Sequence, residues 1–308
     1  MGAQVIYVNG GTGFIGRALC ASLLNNVSGE QVPDFFVQTR MPGHHRHRNI
    51  RFVSAYSDLP HNIVPDVIIN LAGAPIADNR WSDSQKKLLL NSRIKVTERL
   101  FRAVQERGHQ PEVVLNASAI GYYGDSEHEG LIEQASPGAG FAADLCRKWE
   151  LSAEAFTSLG SRVCLMRIGV VLGVGGGVLA RLLPLFKLGL GGPIGTGQQW
   201  FSWIHLTDLV RLFEAAMNNS EYQGAVNCTA PNPVRQAEFA RTLAGALNRP
   251  SCVRTPASVL KLVYGQMAEE LLLGGQNVIP SVALERGFHF EYPLLPDALQ
   301  DLLEQLQH

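Results

Sequence analysis

Short apolar runs alternate along this chain with longer segments in which apolar residues recur every three or four positions. The runs at 5–8, 34–40, 50–54, 66–71, 112–117 and 162–168 have the length and composition of strands buried on both faces. A helical pattern follows Gly16, with apolar residues at Ala18, Leu19, Leu23 and Leu24, and long helical patterns fill 83–108 and 141–159. Strands alternating with helices predict βαβ units with right-handed crossovers: an α/β fold in which a Rossmann-type, doubly wound parallel sheet is covered on both faces. From about Gly173 the rhythm changes to glycine-rich loops at 173–177 and 189–197, a helix near 208–218, a strand at 225–229 and then mostly helix. The expected organisation is a sheet domain over 1–172 and a smaller C-terminal substrate lobe over 173–308, built over the strand ends.

The first strand runs straight into Asn9-Gly10-Gly11-Thr12-Gly13-Phe14-Ile15-Gly16. Strand, glycine turn and helix in that order make a phosphate cradle: Gly10 allows the tight turn, Gly13 lets backbone approach a pyrophosphate, and Gly16 lets helix pack on sheet. The N–H groups at the helix start then face the phosphates with the helix dipole behind them. The spacing is G-x-x-G-x-x-G rather than G-x-G-x-x-G, and it predicts dinucleotide contacts from Gly10, Thr12, Gly13, Phe14, Ile15 and Gly16.

In such a fold the end of the second strand meets the adenosine ribose, where an acid selects NAD by taking the 2′-hydroxyl. Here the strand ends in Thr39-Arg40, and Asp34 lies at its other end. Arg40 can fork onto a 2′-phosphate, so the expected cofactor is NADP(H). The following His44-His45-Arg46-His47-Arg48 has no carboxylate or cysteine beside it, so it reads as a solvated basic loop near the phosphate and not as a metal site. Leu71, Ala72 and Gly73, at the end of the fourth strand, let the backbone pass close to the cofactor, and with Arg93 they wall its pyrophosphate and adenine side.

Composition narrows the partners. A net charge of −1, with 17% charged and 46% hydrophobic residues, gives no broad electrostatic footprint for nucleic acid or an anionic membrane. A small-molecule substrate is expected. Cys20, Cys146, Cys164, Cys228 and Cys252 are widely spaced, and four of the five fall in core segments, so they are expected to be reduced and inert. Arg181, Pro184 and Lys187 interrupt the most apolar stretch, 178–190, and no basic and apolar leader opens the chain, so the expected compartment is the cytoplasm.

The glycine turn, Asn70-Leu71-Ala72-Gly73 and Ser118-Ala119-Ile120-Gly121-Tyr122-Tyr123-Gly124, in this order, resemble the extended short-chain dehydrogenase/reductases, the superfamily of sugar-nucleotide epimerases and dehydratases. Arg80-Trp81, Asn91-Ser92-Arg93, Trp149-Glu150, the stretch from Arg167 to Gly173, Trp203-Ile204-His205-Leu206-Thr207-Asp208 and the stretch from Glu270 to Pro280 look like one atypical, epimerase-family branch with a small C-terminal domain, here from about Pro256. The resemblance implies NADP binding and adds Ala117, Ser118, Gly169 and Val171 to the cofactor contacts. It also exposes a departure. The superfamily uses Tyr-x-x-x-Lys on the helix after the fifth strand, with lysine lowering the tyrosine pKa so that tyrosine can exchange a proton as hydride moves. Matching Glu150 to the acid after that motif puts Ala142 and Cys146 at the Tyr and Lys positions, and Lys148 falls on the opposite helix face. Counting from either end of the 118–124 motif puts Ser118 or Ala119 at the catalytic hydroxyl. Tyr122, Tyr123 and Ser118 are the candidate catalytic residues, with Glu133 and His205 behind them. Two functions are open: an NADP(H)-dependent oxidoreductase or epimerase acting on a small carbonyl or sugar-like substrate, and a regulator that holds NADP(H) and signals through a protein partner.

Overall fold

The computed structural model describes residues 4–25, 33–41, 47, 49–126 and 130–306. Strand β1 (Val5–Asn9) feeds helix α1 (Phe14–Asn25) and then β2 (Asp34–Gln38), β3 (Ile50–Val53) and β4 (Val67–Asn70). Helices α2 (Asp83–Leu90) and α3 (Val96–Glu106) lead to β5 (Val113–Ala119), and α4 (Phe141–Glu154) leads to β6 (Arg162–Ile168). The next elements are β7 (Val170–Leu172), α5 (Gly177–Lys187), β8 (Trp200–Phe201), β9 (Trp203–His205), α6 (Leu206–Asn218), β10 (Gly224–Cys228), β11 (Val234–Arg235) and α7 (Gln236–Ala246). Helices α8 (Ala257–Tyr264), α9 (Gln266–Ala268), α10 (Ser281–Glu285) and α11 (Leu295–Gln305) complete the described chain.

Seven strands form one parallel sheet in the order β10-β6-β5-β4-β1-β2-β3. The chain winds outward from β1 to β3 and then returns to β4 on β1's other side. That reversal opens a crevice at the strand C-termini between β1 and β4, where ligands of doubly wound sheets sit. The two-residue period of the strands sorts their apolar side chains onto two faces. Ile6, Val8, Phe35, Val37, Val67, Ile69, Cys164 and Met166 pack with α1 and α6, while Tyr7, Phe36, Ile68, Val114, Val163 and Leu165 pack with α3 and the end of α4.

The sequence pattern predicts one helix over 83–108, but the structure breaks it with a π-turn at Asn91–Lys95. The extra residue in that turn lets Ser92 Oγ accept from Ala74 N at 3.0 Å and Arg93 Nη2 donate to Ala74 O at 3.0 Å. One widened turn therefore grips both sides of the loop that follows β4, the kind of site at which π-bulges recur.

The C-terminal half has a core of its own around Trp203, Phe239, Leu243, Leu295 and Leu299, yet it is stitched into the sheet domain. Strand β10 extends the main sheet beside β6, and α6 shares a face with α1. No helix among the described residues is long and apolar enough to cross a membrane.

The helix-to-sheet approach at Gly16 has no slack, because a Cβ there lies 2.5 Å from Gly10 O and 2.5 Å from Gly11 Cα, both backbone atoms. At Gly13 a Cβ meets only Gly10 O, at 3.2 Å. Gly16→Ala is expected to lose about 1–3 kcal/mol by overpacking, and Gly13→Ala to stay close to wild type. Urea unfolding followed by circular dichroism checks both values.

Candidate functional site

The glycine turn is built as its residues require. Gly10 sits at φ +83°, a conformation that favours glycine, and a Cβ on it meets the Leu71 carbonyl group at 2.9 Å. Gly13 N donates to Gly10 O at 3.0 Å, closing the turn. Gly11 is also tightly placed, its Cβ position lying 2.8 Å from Val37 of β2. The first turn of α1 carries no acidic residue, so its dipole is uncompensated where an anion would bind. Phe14 reaches the other way: Cβ atoms on Gly173 and Gly176 would meet its ring at 2.8 and 2.4 Å. The glycines of the 173–177 loop therefore seat this ring.

Asn9 and Asn70, the last residues of β1 and β4, lie in register with Asn116 in the middle of β5. Asn9 Nδ2 donates to Asn70 Oδ1 at 3.1 Å, and Asn70 Nδ2 donates to Asn116 Oδ1 at 2.6 Å and to Thr97 Oγ1 at 2.9 Å. Trp149 Nε1 donates to the same threonine at 3.2 Å. This buried polar ladder ties the ends of β1 and β4, which floor the crevice, to the middle of β5. Beside it Gly73 leaves room for the Arg93 guanidinium, which lies 3.0 Å from where a Cβ would be and 5.2 Å from the centroid of the Trp149 ring. Burial lowers the Arg93 pKa, and the guanidinium donates to Ala74 O of the loop, Leu89 O of α2 and Ser92 Oγ.

At the adenosine end, Thr39 N donates to Val53 O at 2.9 Å and Arg40 is exposed. Asp34 stands at the far end of β2, 3.5 Å from Arg51. Between α1, β2 and β3 lies a cleft of about 360 Å³ lined in part by Thr12, Arg17 and His47. Arg17 was not singled out by the sequence analysis, although its position one residue after Gly16 puts it on the first turn of α1, facing this cleft. Of the basic loop only His47 is described, and the remaining residues of 44–48 lie outside the described residues. Among the described residues no group of three or more His, Cys, Asp or Glu is placed to hold a metal ion.

The candidate catalytic side chains converge on a buried guanidinium. Arg167 on β6 donates from Nε and Nη2 to the two carboxylate oxygens of Glu150 on α4, at 2.8 and 2.9 Å. Its Nη1 donates to Tyr123 OH at 2.9 Å and Glu133 O at 3.0 Å, and its Cζ lies 3.5 Å from the centroid of the Tyr122 ring. Ser118 Oγ donates to Glu150 Oε1 at 2.6 Å, and Tyr123 OH donates to Asn227 Oδ1 at 2.6 Å. Burial, the largest influence, pushes the Tyr123 phenol up to about 12 against the opposing pull of Arg167. Ser118 and Tyr123 are thus committed to the interior, and the two tyrosines brace the guanidinium.

The space these residues leave is a cavity of about 190 Å³ at the ends of β5 and β6. Ala119, Gly121, Ile168 and Gly169 form one wall, and Ala142 and Cys146 on α4 form the next. Ala119 rather than Ser118 faces it, and neither Tyr122 nor Tyr123 reaches it. The two positions where the superfamily resemblance implies tyrosine and lysine do look into the cavity, and they carry a methyl group and a thiol. Burial first, and then Glu150, pushes the Cys146 thiol up to about 12. Lys148 is exposed and bonded to Asp144 at 3.0 Å, on the outer face as expected.

The far wall falls in the stretch from Glu270 to Pro280, to which the sequence analysis gave a family resemblance and no place in the site. It comes from 270–276, beyond α9. Glu270 accepts from Phe141 N at 3.0 Å and Ala142 N at 2.8 Å, capping α4. Gly275 N donates to Asp125 Oδ1 at 2.9 Å, and Ser202 Oγ donates to Gln276 O at 2.6 Å and accepts from Val278 N at 3.0 Å. A Cβ on Gly275 would lie 2.2 Å from Trp200 O, which explains a glycine at that point.

Glu133 and His205 serve elsewhere. Glu133 Oε1 accepts from Asn227 N at 3.0 Å and Val282 N at 3.2 Å, tying β10 to α10, and burial raises its pKa. His205 Nδ1 accepts from Thr207 N at 3.1 Å as the N-cap of α6, and its ring stacks on Tyr292 at 4.0 Å. Four cysteines are buried, Cys252 is exposed, and all five are free.

The Arg167–Glu150 pair makes a quantitative demand. Glu150→Ala leaves a buried guanidinium without its carboxylate and is expected to cost about 3–5 kcal/mol. Ser118→Ala, which removes one hydroxyl donor to that carboxylate, is expected to cost about 1 kcal/mol. Thermal melts of the two variants should fall in that order, and a Glu150→Ala protein as stable as wild type contradicts the role given to the pair.

The model of the NAD dependent epimerase/dehydratase family matches residues 6–228, and that of a domain of unknown function (DUF1731) matches residues 255–302. The epimerase family protein SDR39U1 homolog, chloroplastic, of Arabidopsis thaliana is 40% identical over 98% of this chain and 87% of its own. Epimerase family protein SDR39U1 of Mus musculus is 37% identical over 97% of this chain and 99% of its own. The crystal structure of human epimerase family protein SDR39U1 (isoform 2) with NADPH superposes with a TM-score of 0.86 at 32% identity, covering 98% of this chain and 99% of that one. On the strength of the family match and of these full-length relatives, the chain belongs to the NAD dependent epimerase/dehydratase family, among its SDR39U1-like members.

Proposed function

We propose that this chain binds NADP(H) across the strand C-termini and uses it as an oxidoreductase or epimerase on a small carbonyl substrate, without a Tyr-Lys pair. The observation that carries the cofactor assignment is an exposed arginine, Arg40, at the end of β2 where NAD-binding folds keep an acid. The protein's own residues fit the group. The open face at Gly13 and the uncompensated start of α1 take the pyrophosphate, with Thr12, Phe14 and Ile15 shaping the turn. Arg40, with Thr39 beside it, takes the 2′-phosphate, and Arg17 adds a second cation on the cleft between α1, β2 and β3. Leu71, Ala72 and Gly73, held from below by Arg93, let the backbone pass close to the pyrophosphate. Ala117, Gly169 and Val171 leave room for the nicotinamide end, next to the cavity. The bound dinucleotide supplies or takes hydride.

The protein's part in the chemistry is to hold and to exclude. The apolar wall residues Ile76, Ile120 and Ile168 and the 270–276 segment screen the cavity from water, which strengthens every polar interaction inside. Ser118 and Tyr123 act through Arg167 and Glu150 to set the position of α4 against β5 and β6, and so of Cys146 and Ala142. The absence of a positioned acid at Ala142 favours a second reading, in which the chain holds NADP(H) and signals through a protein partner with little turnover. NADPH oxidation against a panel of carbonyl compounds separates the two.

Affinity for NADPH is expected to exceed that for NADH by roughly ten- to a hundredfold, and Arg40→Ala to erase the difference. Titration of nicotinamide fluorescence gives both constants, and equal affinities in the wild type contradict the assignment. Gly13→Val should abolish binding of both dinucleotides while leaving the circular dichroism spectrum intact, because its branched side chain fills the pyrophosphate's place. Undiminished binding by that variant would reduce the glycine turn to a structural device.

A further inference from the structure

The cavity beside Cys146 restricts the substrate further, on the premise that the NADP(H) reading holds. Among the described residues its walls contain no lysine, arginine or histidine, and their only ionisable side chains are Cys146 and Glu270. Burial, the largest influence, pushes the Cys146 thiol up to about 12, and Glu270 brings the one carboxylate among the described lining residues. That carboxylate also occupies the N-terminus of α4, accepting from Phe141 N, Ala142 N and Gln266 Nε2. The helix dipole, which would otherwise attract an anion at this spot, is already satisfied.

The cations on the surrounding segments make other contacts, among them Arg93, which lies near Cys146 and donates to Ala74 O at 3.0 Å. Arg181 pairs with Asp78 and donates to Ala77 O, and Lys86 donates to Gln266 Oε1 at 2.6 Å. Arg235 lies 3.6 Å from the centroid of the Trp200 ring with Nη1 on Gln198 O, and Arg80 donates to Leu262 O at 3.3 Å. The rest of the wall is largely apolar, from Ile76, Ile120, Ile168, Phe201, Leu271 and Leu272. At about 190 Å³ the space is smaller than the roughly 300–1,000 Å³ of pockets that enclose drug-sized ligands. A phosphate or carboxylate entering it would lose its hydration beside a like charge with no countercharge on the wall.

We propose that the site takes a compact, neutral, largely apolar carbonyl compound, and that Glu270 at the start of α4 rejects phosphorylated and carboxylated ones. This gives the segment beyond Pro256 a task. It supplies the wall that sets the charge and size of the substrate, and a nucleoside diphosphate sugar is excluded on both counts.

The test uses the full chain loaded with NADPH and pairs of ligands that differ by one carboxylate: acetophenone against carboxyacetophenone, and ethyl pyruvate against pyruvate, with UDP-glucose alongside. Binding is read from the change in cofactor fluorescence, which does not require turnover, and NADPH oxidation is followed in parallel. The neutral member of each pair is expected to bind at least about tenfold more tightly than its anionic partner or UDP-glucose, and Glu270→Gln to narrow that gap. The proposal is overturned if the anionic members or UDP-glucose bind as tightly as the neutral ones, or if no neutral member binds. Failure of the wild type to bind NADPH at all is a separate result that removes the cofactor reading itself.

Discussion

The organisation of this site depends on one buried cation. A guanidinium in the protein interior is tolerable only with a carboxylate opposite and its remaining N–H groups satisfied, and Arg167 meets the condition by drawing on four parts of the chain. Glu150 comes from α4, Tyr122 and Tyr123 from the turn after β5, the Glu133 carbonyl from the loop beyond it, and Asn227 of β10 is joined through Tyr123 OH. Satisfying Arg167 therefore sets how α4 lies against β5 and β6, and with it which α4 side chains look into the cavity. Asn227 continues the chain of bonds by donating to Ile279 O at 2.9 Å, so the C-terminal segment is registered against the same centre.

That linkage explains why the serine and the tyrosines, natural candidates for proton transfer, are turned inward. In a site with a Tyr-Lys pair on α4, a lysine beside the tyrosine lowers its pKa and the phenol faces substrate. Here the Tyr123 phenol moves the other way, up to about 12, because burial outweighs its charged neighbour. Ala142 and Cys146 then leave a wall that is small and uncharged. The architecture keeps the cofactor cradle of its family and presents a different surface above it.

Much of this was legible in the sequence because it rests on local constraints. The glycine turn, the strand sequence and the α4 substitutions are written in adjacent residues, and each appears where its spacing put it: Gly10 in a positive-φ turn, Asp34 at the wrong end of β2, Lys148 on the outer face of α4. What sequence could not supply are relations between distant segments. The apolar pattern does not mark the π-turn at 91–95, where one extra residue shifts the face, and only the meeting of Ser92 and Arg93 with Ala74 shows what the shift is for. The glycines of 173–177 read as a substrate loop, yet Phe14, far away in sequence, accounts for two of them sterically. The stretch from Glu270 to Pro280 stood out only by its resemblance, and the bonds of Glu270 to Phe141 N and Ala142 N are what tie it to the start of α4.

The account makes one geometric claim on which the rest stands: the cavity walled by Gly121, Cys146 and the 270–276 segment is where the reactive end of the cofactor meets substrate. A crystal structure of this chain with NADPH measures it directly. The account predicts the nicotinamide ring at the ends of β5 and β6, against Gly169, with its C4 facing that cavity and the 270–276 segment in place. A ring directed away from Cys146, or a 270–276 segment displaced so that the cavity merges with solvent, would contradict it.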